Sequence, residues 1–186
     1  APFILVKEGK DYPIESSRLH VSSKLMGEGD ILLDAELFYA DPFPMNVDVE
    51  MGELDLRSLN NMLSRGVFVK VLEGRVTDGK WNFNIDSERA IGTMDFHYED
   101  LKIELLDSLT LERGKGKLNF MSFLGNLFTK NSNPRKFFNK EKTSDIYYER
   151  DKSKFIFGGW WKATFSGLKG SLGLGQAKIP KRKEEE

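Results

Sequence analysis

GDILLDAELFYADPFPMNVDVEM, residues 29–51, sets the period on which most of the chain is written. Met45, Val47, Val49 and Met51 alternate with Asn46, Asp48 and Glu50. A repeat of two gives one apolar side and one wet side, the mark of a half-buried strand. Upstream, Ile31, Leu33, Ala35 and Leu37 fall on one side, and Asp30, Asp34 and Glu36 on the other. Asp41-Pro42 and Pro44 part the two runs, because proline neither donates to a ladder nor continues one.

The same period recurs on both sides. Leu19, Val21 and Leu25 are in phase in SRLHVSSKL, and Val67, Val69 and Val71 in GVFVKVLEG. Trp81, Phe83 and Ile85 alternate in WNFNI. Met94, Phe96 and Tyr98 give way to Leu101, Ile103 and Leu105, so Glu99-Asp100 reads as a strand break. Turn residues punctuate the runs: Gly27, Gly29, Gly52, Gly74, Asp78-Gly79 and Asp86-Ser87. Asp78-Gly79, between Val76 and Trp81, predicts a hairpin turn. In DLRSLNNMLSRG, Leu56, Leu59 and Leu63 recur helically beside Met62, and Gly66 can stop that helix.

Short, evenly spaced strands predict a mainly β chain with a few helices, an α+β fold built on an antiparallel meander sheet. One face of that sheet is apolar. A second sheet, helices or an apolar ligand must cover it. Residues 1–112 form the β-region of a single domain, 113–175 a helical and linker part packing on it, and 176–186 a charged, disordered tail.

In the last third, Leu118, Met121, Leu124 and Phe128 recur helically, with Phe120, Phe123 and Leu127 filling in. TKNSNPRKFFNKEKTSDIYYERDKSK, residues 129–154, reads as a loop docked by Phe137, Phe138, Tyr147 and Tyr148. FIFGGWWKATFSGLKGSL, residues 155–172, reads as an amphipathic helix. Phe157, Trp160, Trp161, Phe165, Leu168 and Leu172 fall within an arc of roughly 140°, with Lys162 and Lys169 at its edge. Its four glycines, Gly158, Gly159, Gly167 and Gly170, cost roughly 1 kcal/mol each in helix propensity. So weak a helix needs a docking surface, either the open end of the sheet or a lipid interface.

The net charge of −1 hides an asymmetry. Residues 1–112 carry 11 Lys/Arg against 22 Asp/Glu; residues 113–186 carry 17 against 7. Either the basic half meets an anionic surface or partner, or the two halves attract each other. The absence of cysteine excludes disulfides, zinc–thiolate sites and thiol nucleophiles. The opening APFILVKEGK is too short an apolar run for a leader, and the start at Ala1 suggests a piece of a longer chain. No run of apolar residues is long enough to span a bilayer.

Chemistry is sparse. His20 and His97 are the only histidines, and neither stands in a cluster with ligand spacing. Asp30, Asp34 and Glu36 line the wet side of one strand, without the oxygen-rich loop that calcium needs. GKGK at 114–117 lacks the spacing of a phosphate loop, and GLKGSLGLG lacks the strand and helix of a dinucleotide site. Ser16, Ser17, Ser22 and Ser23 sit in no nucleophile motif. The basic residues form no nucleic-acid motif. The reading is of a protein that is not an enzyme, takes no cofactor or metal, and binds no nucleic acid.

GDILLDAELFYADPFPMNVDVEMGELDLRSLNNML, residues 29–63, resembles the repeating unit of the AsmA-like family of bacterial envelope proteins, in which a strand pair leads to G-x-L-x-L and a short Leu-rich helix. VFVKVLEGRVTDGKWNF resembles the next strand pair, and GTMDFHYEDLKIELL the family's G-x-x-x-Y-x-D-L-x-V-x-L pair. FIFGGWWKATFSGLKGSLG is similar to a C-terminal segment of some members. The likeness spans residues 17 to 175, and the Lys-rich stretch 130–154 departs from it. It implies a curved sheet with an apolar groove, in the C-terminal domain of a periplasmic protein anchored in the inner membrane. The implied role is phospholipid transport or outer-membrane homeostasis, with a phospholipid or membrane surface as partner and an envelope protein as a second candidate partner.

On this reading Ile31, Leu33, Leu37, Val47, Val49, Val67, Val69, Met94 and Phe96 line the lipid groove. Phe157, Trp160, Trp161, Lys162, Phe165, Leu168 and Lys169 form a helix that caps the sheet or touches a membrane. A closed-core structural or protein-interaction module is the alternative.

Overall fold

The computed structural model describes residues 15–39, 43–66, 68–107, 132–134, 143–151, 153 and 155–172, together with Val6, Lys7, Lys10, Asp11 and Ile179. The chain is mainly antiparallel sheet with two helices among these residues. Strands β1 (Val6–Lys7) and β2 (Lys10–Asp11) pair only with each other. The main sheet runs in the order β3 (Ser16–Leu25), β4 (Gly29–Phe38), β5 (Met45–Met51), β7 (Val69–Ile85), β8 (Arg89–Leu105) and β9 (Thr143–Glu149). The short β6 (Leu54–Asp55) adds to β7. Between β6 and β7 lie a 3-10 turn (Leu56–Leu59) and helix α1 (Asn60–Gly66). Helix α2 (Ile156–Ser171) closes the described chain.

Register turns the alternating strands into rows across the sheet. One row reads Leu37, Met45, Ile85, Ala90, Tyr148; the next Leu19, Ala35, Val47, Phe83, Gly92, Ile146; the third Val21, Leu33, Val49, Trp81, Met94, Ser144; the fourth Ser23, Ile31, Met51, Gly79, Phe96. From β5 to β8 these rows hold about half of the buried core. Gly92 is where the rows demand glycine. A Cβ there would lie 1.9 Å from the Asn82 carbonyl oxygen and 2.6 Å from the Phe83 Cα.

Two glycine signals mean something other than a turn. Asp78-Gly79 does not form a hairpin: both residues lie inside the unbroken seventeen-residue β7. The pairing with β8 slips there, between Val76 and Asp78, so the dipeptide marks a bulge. Gly79 sits on the inner side, where a Cβ would meet the Phe96 ring at 3.1 Å. Gly74 marks a second slip, at φ +141° and against Leu101. The Glu99-Asp100 break is likewise internal to β8. Asp100 takes φ 51°, and the inward set changes phase from Tyr98 to Leu101 around it. The true β7–β8 turn is at Asp86, whose carboxylate accepts from the backbone N–H of Glu88 at 2.7 Å and of Arg89 at 2.9 Å.

The stretch 129–154 is not simply a loop. Thr143–Glu149 is strand β9, paired with β8 from Arg89 to Asp95. Ser144, Ile146 and Tyr148 follow the period of two on its inner side, a signal masked by the surrounding lysines. Beyond Asp95, Asn133 takes over β8's edge. It exchanges backbone bonds with Tyr98 at 2.8 and 2.9 Å and donates its side-chain amide to the Phe96 carbonyl at 2.7 Å. The predicted helix around 118–128 lies outside the described residues, as does the tail 176–186 apart from Ile179.

At the far end, the predicted Leu-rich helix forms as the 3-10 turn plus α1. Leu56 is buried, and Leu59 and Leu63 pack on the core. Asp55 caps the turn, accepting from the Arg57 backbone N–H at 2.9 Å. Asn60 pins α1 to β7 with two hydrogen bonds to the Val71 backbone, its amide N–H donating to the carbonyl at 2.9 Å and its amide oxygen accepting from the N–H at 2.7 Å.

Candidate functional site

The residues predicted to line a groove separate into two groups. Val47, Val49, Met94 and Phe96 are buried inside the protein. Ile31, Leu33 and Leu37 on β4 are half-buried, and so is Val69 at the opposite end of β7. Val67 lies outside the described residues. The rows continue past β4 onto the edge strand β3, where Leu19 is 38% and Val21 39% exposed. On the sheet's inner face the exposed apolar positions Leu19 and Val21 therefore lie on the edge strand β3, beside the predicted Ile31, Leu33 and Leu37 of β4 and away from the buried Met94 and Phe96 of β8.

At the other end, the covering element is α2, and its orientation departs from the expected one. An apolar stripe normally faces the core. Here the docking arc is made of Gly159, Trp160, Ala163, Gly167, Gly170 and Ser171. The glycines that lower helix propensity are what allow the approach. A Cβ at Gly167 would lie 2.8 Å from Ile146 and 3.1 Å from Met94; one at Gly170 would lie 2.8 Å from Ser144. The helix rests on backbone-height contacts over β8 and β9. Trp81 donates its indole N–H to Thr164 Oγ1 at 3.1 Å, the Ser171 hydroxyl donates to Ser144 Oγ at 3.0 Å, and the Tyr147 N–H bonds Ser166 Oγ at 3.1 Å.

Turned this way, α2 buries only Trp160 of its large aromatics. Among the described residues its indole N–H has no acceptor in reach. Phe157 is 52%, Trp161 56% and Phe165 40% exposed, and Phe155, just before the helix, 74%. Burying one such side chain is worth about 1.5–3 kcal/mol. Leaving three on one helix in water forgoes several times that, which is how an interaction surface differs from scattered apolar residues. Leu168 is half-buried, while Lys162 and Lys169 are exposed. The lysine heads lie over rings: Lys162 Nζ is 5.3 Å from the Tyr148 centroid and Lys169 Nζ 5.0 Å from that of Phe165.

The outer side of the sheet is polar and rich in carboxylates. Asp34 lies directly across from Asp48, and Glu36 from Asn46. His20 Nδ1 meets Asp34 at 2.7 Å, and Lys80 reaches Glu50, which raises the lysine's pKa. An open depression of about 440 Å³ lies here among Glu36, Asn46, Asp48, Asn82 and Asn84. A second, of about 380 Å³, lies among Asp55, Arg57, Glu73, Arg75, Glu99 and Asp100, where ion pairs such as Arg57–Asp55 and Arg75–Glu99 already engage the charges. His97 lies on this outer side with Asp78, at 2.8 Å. Among the described residues no three His, Cys, Asp or Glu side chains are grouped to hold a metal, and no helix is long and apolar enough to cross a membrane.

No known protein family, no curated protein and no solved structure matches the chain.

Proposed function

We propose that this is a non-enzymatic domain of an AsmA-like envelope protein, in which the uncovered end of an apolar sheet face accommodates phospholipid acyl chains. The observation that carries the reading is the run of apolar rows past their helical cover onto β3 and β4, where Leu19 and Val21 remain exposed beside Leu33 and Leu37. Acyl chains need such a surface and no polar readers, so selectivity among lipids would be low. The sheet would be one segment of a curved, grooved structure in the periplasm, the C-terminal part of a membrane-anchored chain that supports phospholipid transport and outer-membrane homeostasis.

Native mass spectrometry of protein purified from bacterial membranes tests this. Co-purified phospholipid, lost in Val21→Asp, is the expected result. Val21 suits the test because it is partly exposed, whereas a charge at the buried Val49 would disturb the core itself. A lipid-free mass, or lipid retained by folded Val21→Asp, would overturn the proposal.

The burial of Val47, Phe83 and Met94 in the middle rows favours a second reading, a closed-core structural or protein-interaction module of the envelope. It predicts no lipid uptake.

A further inference from the structure

Phe157, Trp161, Phe165 and Lys169 follow one another at intervals of four along α2, so their side chains form one row on the surface of the helix. Trp161 and Phe165 stack with centroids 6.3 Å apart and planes 20° apart. Phe155 extends the row, edge-on to Phe157 at 5.3 Å. The row lies opposite the Gly159–Ala163–Gly167–Gly170 arc that docks on the sheet, so its outward aim is fixed by the fold.

We propose that this aromatic row is a membrane-contact surface that lies in the headgroup region of an anionic bilayer, with α2 parallel to the membrane plane. The inference concerns a different surface from the β3–β4 end and does not depend on acyl-chain uptake there. Three observations select this occupant. Residues 155–172 contain two lysines and no carboxylate, so the surface complements negative charge. Both lysines, Lys162 and Lys169, are exposed at the margin of the row, where their heads reach phosphates while the rings sink below them. The carboxylates gather on the outer side of the sheet, facing away from α2, so an anionic surface attracts one side of the molecule and repels the other. A convex row of bulky rings fits a deformable lipid interface, where Trp places its ring at headgroup level. At sixteen residues the helix is too short to span and is suited to lying flat.

The test uses the 186-residue chain with vesicles of phosphatidylcholine alone or mixed with phosphatidylglycerol, read by co-sedimentation and by quenching of tryptophan fluorescence with brominated acyl chains. The expected result is salt-sensitive binding to the mixed vesicles, with quenching that fades in Trp161→Ser. Trp161→Ser/Phe165→Ser should bind at least tenfold more weakly, the scale of one large apolar side chain leaving an interface. Lys162→Glu/Lys169→Glu should lose the preference for the anionic mixture. All four side chains are exposed, so thermal melting should show these variants folded.

Val21→Asp should bind vesicles as the unaltered chain does. Absence of binding by the unaltered chain would overturn the proposal, as would undiminished binding by folded Trp161→Ser/Phe165→Ser. Loss of binding in Val21→Asp alone would assign the membrane contact to the sheet instead. A dimer that Trp161→Ser/Phe165→Ser dissociates without lipid would assign the row to a second copy of the chain.

Discussion

Trp81, in the middle of β7, donates its indole N–H to the Thr164 hydroxyl of α2 at 3.1 Å, across eighty-three residues of sequence. The bond is part-buried and fixes the height and rotation of the helix over the sheet. Thr164→Val keeps the side chain's shape and removes the acceptor. A buried donor left unpaired costs about 1–3 kcal/mol. Urea unfolding should show a loss of that size, and an unchanged midpoint would mean that the bond contributes nothing to docking.

Two glycines of the same helix should respond with opposite sign. A Cβ at Gly158 meets nothing within 4 Å, so Gly158→Ala should stabilise by up to about 1 kcal/mol through helix propensity. At Gly167 the Cβ would lie 2.8 Å from Ile146 and 3.1 Å from Met94, both fully buried. The same propensity gain is then set against overpacking of about 1–3 kcal/mol, and Gly167→Ala should be destabilising on balance. Equal melting temperatures for the two variants would contradict the close approach of α2 to β9.

The two buried tryptophans should also differ. Trp→Phe leaves a void at either position. At Trp81 it also breaks the bond to Thr164, whereas at Trp160 it removes an indole N–H that has no acceptor among the described residues. Relief of that orphan offsets the void, so Trp160→Phe should cost at least about 1 kcal/mol less than Trp81→Phe in denaturant titrations. The reverse order would show that the Trp160 N–H is satisfied in solution.

Asp55 gives the fold one acid-sensitive cap. The side-chain bond from Arg57, then the backbone N–H of the same residue, hold its carboxyl below the ordinary carboxylate value. The folded state therefore binds this proton less readily than the unfolded chain. The contribution is complete above the ordinary range and fades as pH falls through the lowered value. Asp55→Ala should cost about 1 kcal/mol near neutrality, a typical loss for an N-cap. Its stability should then change less in acid than that of the unaltered chain. The pair is partly exposed, so the acid effect should be small. Parallel acid profiles for the two proteins would sever the link to Asp55.

The strands of β3, β4 and β5 were legible because each alternates cleanly and ends at Gly, Pro or Asp. The Leu-rich turn and α1 were legible for the same reason, with Leu56, Leu59 and Leu63 in helical phase. Bulges were not. Asp78-Gly79 has the chemistry of a hairpin turn, and only the pairing with Phe96 shows that the glycine serves a crowded inner row. The orientation of α2 was hidden for a related reason. Hydrophobicity ranks Phe157, Trp161 and Phe165 above Gly167, while the approach of two backbones ranks them the other way. A spacing of small residues, Gly159, Ala163, Gly167 and Gly170, was the available signal. β9 was obscured because three inward positions are a short pattern inside a lysine-rich stretch.

The seventeen-residue strands β7 and β8 are joined by a turn of three residues, Asp86, Ser87 and Glu88, and β5, β6 and β9 each pair directly with one or the other. In time rather than space, this makes the hairpin the earliest part of the sheet to assemble. Its three-residue turn is as short as the one between β3 and β4, but its strands bury far more of the core, while α2 must return across more than eighty residues to reach Trp81. Pulse-labelled hydrogen exchange during refolding should find the amides around Asn82–Ile85 and Ala90–Thr93 protected before those of Trp160–Leu168; protection in the opposite order would place the nucleus in the helix. Until α2 arrives, the inner row through Trp81 and Met94 stands bare, so crowding at high concentration should divert the chain into aggregates at that step and not later.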